Sequence, residues 1–209
     1  AVYDALLLPA LNYAERDRLE QRLSPDEETA VIDATRDLLS DAAESIGRLH
    51  PEPPAPPDVP PLPGPRELLR VLGYSTNGVA DELALAMLAH LLDDLPIRVE
   101  ITRTRLQASE LLSLVREHGY SVVCLADLPP SASSKTRYLV KRLRAALPEL
   151  RILVGRWGPS ALDDEGTQVL LDAGANLVAS TLPETRTYLA GLVEIPRIPV
   201  SETSVVHAA

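Results

Sequence analysis

The stretch "YSTNGVADELALAML", Tyr74 to Leu88, decides the fold. A short apolar run, "RVLGYS", ends at Ser75. A polar loop then turns at Asn77-Gly78, a pair suited to tight turns. From Asp81 to Leu92 the pattern is that of a helix, apolar on most sides. In parallel α/β proteins this junction, from the carboxyl end of a strand to the start of a helix, is where ligands are held.

The same unit recurs downstream. "IRVEIT" reads as a second strand and Ala108 to Glu117 as a helix ended by Gly119. "SVVCLAD" is nearly continuous in apolar character, as a strand covered on both faces should be. Ser133 or Ser134 caps a helix that runs to Leu147 and stops at Pro148. "RILVGR" is a fourth strand, followed by a helix from Asp163 to Ala173. "NLVAS" is a fifth, followed by a helix from Pro183 to Leu192. Five β–α units predict an α/β fold, a five-stranded parallel flavodoxin-like sheet in the order 2-1-3-4-5 with helices on both faces. Its ligand crevice would lie at the carboxyl ends of strands one and three. Ser75, Thr76, Asn77, Gly78 and Asp127 would line it, with Arg156 and Trp157 at its mouth.

Upstream, "PEPPAPPDVPPLPGP" carries nine of the nineteen prolines. Each fixes φ and removes a donor, so the stretch reads as a semi-rigid spacer. A proline-rich peptide ligand is the alternative. The chain therefore divides into a helical hairpin (1–50), a linker (51–65) and a Rossmann-like α/β domain (66–209). In the hairpin, Ser24, Pro25 and Glu27 form a capping box that opens a long helix. Its stripe is read as Val31, Thr35, Leu38, Ala42, Ile46 and Leu49. Pro9 should interrupt the first helix near its start. Two such helices cannot enclose a core alone. They must dock on the α/β domain, on a second copy, or on the rest of a longer parent. An unburied stripe predicts a homo-oligomer, a dimer built on the hairpin.

Composition removes several functions. The 209 residues carry a net charge of −10, which speaks against a nucleic-acid surface. The lone Cys124 sits in an apolar run and reads as core. The histidines, His50, His90, His118 and His207, show no metal-ligand spacing, so no metal site is expected. No nucleotide-binding or nucleophile motif occurs, so neither a cofactor nor an enzyme activity is expected. Asp81-Glu82 and Asp163-Asp164-Glu165 suit helix first turns, where they complement the dipole. "YSTNG" before a helix could hold an anion, or could be loop and cap only. Trp157 could cover a pocket, form a contact surface, or pack in the core. "SSKTRYLVKRLR" concentrates positive charge in an acidic chain. Lys135, Arg137, Lys141 and Arg144 form a candidate face for a partner or an anionic lipid surface.

The order of hairpin, linker and five-unit domain resembles the cobalamin-binding module of corrinoid proteins. That family marks its site with D-x-H-x-x-G, S-x-L and G-G signals. Here Val79, Asp81 and Ala84 stand at the first, Ala126 and Leu128 at the second, and Gly155 and Arg156 at the third. The cobalt-ligating histidine is replaced by Asp81, so cobalamin is not expected to bind. Residues 3–28, "YDALLLPALNYAERDRLEQRLSPDEE", and 151–158, "RILVGRWG", are similar to the cytoplasmic C-terminal region of PerM-type permeases of the autoinducer-2 exporter family. That resemblance implies a piece of a larger membrane protein at the cytoplasmic side of the inner membrane. Its role would be non-enzymatic regulation or assembly, by self-association or contact with the transmembrane part. A small-ligand sensor using the crevice is the alternative.

Overall fold

The computed structural model describes residues 3–49, 68–102, 106–158 and 164–194. The linker at 51–65, His50, His207, and Pro159 to Asp163 lie outside the described residues. The strands are β1 (Leu69–Ser75), β2 (Ile97–Thr102), β3 (Val122–Ala126), β4 (Arg151–Gly155) and β5 (Leu177–Ala179). All pair in parallel, in the order β2-β1-β3-β4-β5. This is the flavodoxin-like order expected from the sequence.

The helices are α1 (Leu8–Leu19), α2 (Pro25–Leu49), α3 (Val79–Leu91), α4 (Ala108–His118), α5 (Ser134–Ala146), α6 (Asp164–Asp172) and α7 (Leu182–Glu194). Period-2 alternation along β3 sorts the core into two halves. Val122, Cys124 and Ala126 point toward α3 and α7. Val123 and Leu125 point toward α4, α5 and α6. All five residues of β3 are buried, as its unbroken apolar run requires. Burial pushes the Cys124 thiol up to about 12, so it stays a protonated core group.

The hairpin adds a further layer on the α3 and α7 side. A π-helical turn, Tyr3–Leu7, leads into α1, with Pro9 in its first turn, so the interruption is a change of helical pitch. Leu7, Leu8 and Leu11 are buried against α3, the sheet and α7. Each contributes roughly 1.5–3 kcal/mol by leaving water. The capping box forms as read: the Ser24 amide donates to Glu27 Oε2 at 2.9 Å, and the Glu27 amide donates to Ser24 Oγ at 3.3 Å. The Ser24 amide, with the Ser24 hydroxyl that donates to the same oxygen at 2.8 Å, holds the exposed Glu27 carboxyl below the usual carboxylate range.

Over residues 31–42 the α2 stripe differs from its sequence reading by about one position, while the side chains of Ile46 and Leu49 lie outside the described residues. The face turned inward is Ile32, Thr35, Leu39 and Ala42, while Leu38 is 51% exposed. Both stripes satisfy i, i+3, i+4 spacing, and packing against α3 selects between them. The hairpin thus docks on its own chain, which removes the unburied stripe as a reason for self-association.

Polar contacts fix that docking. Asn12 donates through Nδ2 to Leu8 O at 2.9 Å and to Trp157 O at 3.0 Å. Two carbonyl acceptors define the amide orientation. Asp4 Oδ1 accepts from the Leu182 amide at 2.9 Å. Gly158, at φ +139°, lies against Asn12: a Cβ there would come within 1.9 Å of Nδ2. Gly158→Ala should therefore loosen α1 from the domain and cost about 1–3 kcal/mol. Chemical denaturation with amide exchange across α1 checks this, with faster exchange expected in residues 8–19.

Candidate functional site: the closed crevice at the strand ends

At the carboxyl edge of the sheet the chain leaves β1 through Ser75–Gly78, β3 through Asp127–Ser133, and β4 through Arg156–Gly158. Hydrogen bonds stitch these segments together. The Thr76 amide donates to Ala126 O at 3.0 Å, Asp127 to Gly155 O at 3.0 Å, and Arg156 to Ala179 O at 2.9 Å. Each strand thus extends one residue beyond its pairing, and the three loops start in register.

Asp127 is the centre. It is 0% exposed, and both carboxylate oxygens are in use. Oδ1 accepts from Asn77 Nδ2 at 2.8 Å and from Ser131 Oγ at 2.6 Å. Oδ2 accepts from Thr136 Oγ1 at 2.8 Å and from Arg156 Nη1 at 2.8 Å. Arg156 is 6% exposed, and its Nη2 donates to Ser131 O at 3.1 Å. A buried carboxylate without such partners would be strongly destabilising. With one guanidinium and three neutral donors around it, the charge is neutralised and solvated by protein.

A second buried carboxylate lies on the other side of the β1 loop. Asp81, in the first turn of α3, accepts the Asn77 amide on Oδ2 at 2.8 Å and the Leu128 amide on Oδ1 at 2.9 Å. The sequence reading of Asp81 as a dipole-complementing first-turn residue missed this role: it clamps the β1 and β3 loops together. Asn77 belongs to both clusters, its amide on Asp81 and its side chain on Asp127. Asp163 lies outside the described residues, and α6 begins at Asp164.

The other candidate crevice residues are bonded in part, while the buried Thr76 Oγ1 and Arg156 Nε have no hydrogen-bond partner. Ser75 Oγ donates to Gly78 O at 2.6 Å. Thr76 is buried and its carbonyl accepts from Lys135 Nζ. Trp157 is 0% exposed, so of its three readings the structure selects core packing. Its Nε1 donates to Thr185 Oγ1 at 2.9 Å. A Cβ at Gly155 would fall 2.2 Å from the Trp157 ring, so glycine there makes room for the indole. Arg156 and Trp157 leave the strand on opposite faces. One fills the α5 side of the crevice, the other the hairpin side.

Among the described residues, a cavity that touches this edge is small. It measures 120 Å³ and lies between hairpin and loop, lined in part by Glu15, Arg18, Asn77 and Gly78. An open depression of 590 Å³ lies at the opposite edge of the sheet, around Val115, Tyr120, Leu147 and Leu150. Among the described residues, no cluster of three or more His, Cys, Asp or Glu could hold a metal ion.

The basic face needs a correction. Arg144 is not part of the exposed set. Its guanidinium donates to Gly174 O at 2.8 Å, Leu150 O at 2.9 Å and Asn176 Oδ1 at 2.6 Å, closing the α5–β4 and α6–β5 turns. Lys135 is directed back to Thr76. The basic residues left facing outward are Arg137, Lys141 and Arg142.

No family model matches the chain, and no curated protein matches it. Solved structures of similar fold include a putative pilus assembly-related protein from Burkholderia pseudomallei, at 16% identity and TM-score 0.48, covering 61% of this chain and 91% of that one. A CheY-like protein from Pseudomonas aeruginosa matches at 19% identity and TM-score 0.46, covering 62% and 98%. An orphan response regulator of H. pylori matches at 14% identity and TM-score 0.47, covering 62% and 99%. None of these is a permease or a corrinoid protein, and the two resemblances read from the sequence are withdrawn. The placement at the cytoplasmic side of the inner membrane, and a transmembrane part as partner, rested on the permease resemblance and go with it. No described helix is long and apolar enough to cross a membrane. Asp81, at the position of the cobalt-ligating histidine, is instead consumed by two backbone amides.

Asp81 carries a pH signature. Burial is the main cause that lifts its carboxyl, to about 7, against the two amide bonds, which lower it; Asp127 and Glu15 raise it further. The folded state therefore holds the proton more tightly than the unfolded chain, whose Asp titrates near ~3.9. The resulting stability is full below that value and is lost as pH rises to about 7. Denaturation midpoints measured from pH 4 to pH 8 should fall more steeply for the native protein than for Asp81→Asn. Parallel profiles would show that Asp81 is ionised throughout.

Proposed function

We propose that this chain is a non-catalytic regulatory or assembly domain that works through its outer faces, by self-association or by contact with a partner. The single observation that supports this reading is the closure of the crevice. The place where this topology holds ligands is occupied by the Asp127–Arg156 pair, with Asn77, Ser131 and Thr136 completing its hydrogen bonds. A sensor of small ligands would need those groups free to meet a ligand. Here each already serves a loop, and opening the site would leave a buried charge unpaired.

A thermal-shift panel of nucleotides, phosphorylated metabolites, divalent cations and cobalamin tests the reading. The expected result is no stabilisation by any member. A true ligand at a hundredfold excess over its dissociation constant would stabilise by ~2.7 kcal/mol. A shift of that size, lost in Asn77→Ala, would contradict the closed crevice and restore a sensor.

A further inference from the structure

Two exposed helix faces of this chain complement one another in charge. On α5, the side turned from the core carries Tyr138, 55% exposed, flanked by Arg137, Lys141 and Arg142. The helix contains no acidic residue, in a chain whose net charge is −10. Its other two basic residues, Lys135 and Arg144, bind backbone carbonyls of this chain. Those three outward cations are the ones left for a partner.

On α2, the side turned from the core carries Asp33, Asp37 and Asp41, four residues apart and so on one line. Asp33 pairs with Arg36 at 2.5 Å. Ala30 and Ala34 are exposed on the same side of the helix. Leu38, 51% exposed, borders it.

We propose that this chain self-associates head to tail, the acidic ridge of α2 on one copy receiving the basic face of α5 on the next. This rests on the reading that the domain works through its outer faces, and it names the partner. The topology sets the symmetry. Leu39 of α2 packs in the core half that holds α3 and α7, whereas Leu139, Val140 and Leu143 of α5 pack in the other half. The two faces thus lie on opposite sides of the sheet, so the contact is heterologous and passes from copy to copy, in a ring or an open chain. A 13-residue helix is only ~20 Å long, and one helix laid on another buries less than a standard ~1,200 Å² interface. The association is therefore weak and salt-sensitive. The overall negative charge opposes it at long range, but is screened beyond ~10 Å at 0.1 M salt.

Sedimentation velocity over a concentration series, at ~50 mM and ~500 mM salt, tests the proposal. The native protein should grow past the dimer with concentration at the lower salt and revert to monomer at the higher. R137E/K141E/R142E and D37K/D41K should each weaken association at least tenfold with unchanged circular dichroism. An equimolar mixture of the two variants should regain it, because each then offers a face of the opposite sign. A closed dimer indifferent to both variants, a native protein monomeric throughout, or a mixture that stays monomeric would overturn the proposal. So would flotation of the monomer with phosphatidylserine vesicles that the triple variant abolishes, which would assign the α5 face to lipid. A ligand found in the thermal-shift panel would defeat the closed-crevice reading without altering these results. A monomeric native protein would defeat the self-association and leave the crevice closed.

Discussion

The Asp127 carboxylate has no access to water, and the carboxyl edge of the sheet is organised around that fact. A charge so placed must be matched by donors held in fixed positions. Arg156 supplies the counter-charge from the end of the neighbouring strand, at 2.8 Å. Its side chain lies across the end of β3, and the next residue, Trp157, must turn to the opposite face. That turn needs a residue without a Cβ at Gly155, and it presents the Trp157 carbonyl to Asn12 of α1. A single ion pair is thus linked, through two residues of backbone, to the seating of the hairpin.

Asp81 plays the complementary part. By accepting amides from both the β1 and β3 loops it holds Asn77 where that side chain can reach Asp127. Two buried acids share one asparagine, and only one of them has a cation. Burial is the main physical reason that the Asp81 carboxyl is lifted, to about 7. What the fold gains is a rigid edge, with three loops joined side chain to side chain.

Much of the fold was legible because it depends on local pattern. The apolar run of β3, the Asn77-Gly78 turn, the glycine ending α4 and the capping box at Ser24 each report a local requirement. Their order leaves few topologies. The α2 stripe was misphased because apolar residues stand at both 31 and 32, and at both 38 and 39. Periodicity accepts either pair, and only the surface of α3 chooses. Asp127 and Arg156 were both picked out, yet their pairing was not, since it joins residues 29 apart through two strand ends. Asp81 was read by its place in a helix turn, while its function comes from the loop that folds over it. Arg144 was assigned to the surface because the carbonyls that capture it, from Leu150 and Gly174, carry no side-chain signal. The family resemblances failed for a related reason. The permease one rested on two short segments, whose conspicuous Trp157 is explained by contacts within this chain, and the corrinoid one on an order of elements without the residues that mark its site.

The account stands or falls on the Asp127–Arg156 pair, and a double-mutant cycle with Asp127→Asn and Arg156→Met measures it. Removing Arg156 alone should cost about 3–5 kcal/mol, because a buried carboxylate is left without its cation. In the double variant a large part of that loss should be recovered, giving a coupling energy above ~2 kcal/mol. A single Arg156→Met variant within ~0.5 kcal/mol of the native protein would contradict the account. It would mean that Asp127 is solvated without its partner and that the crevice is open.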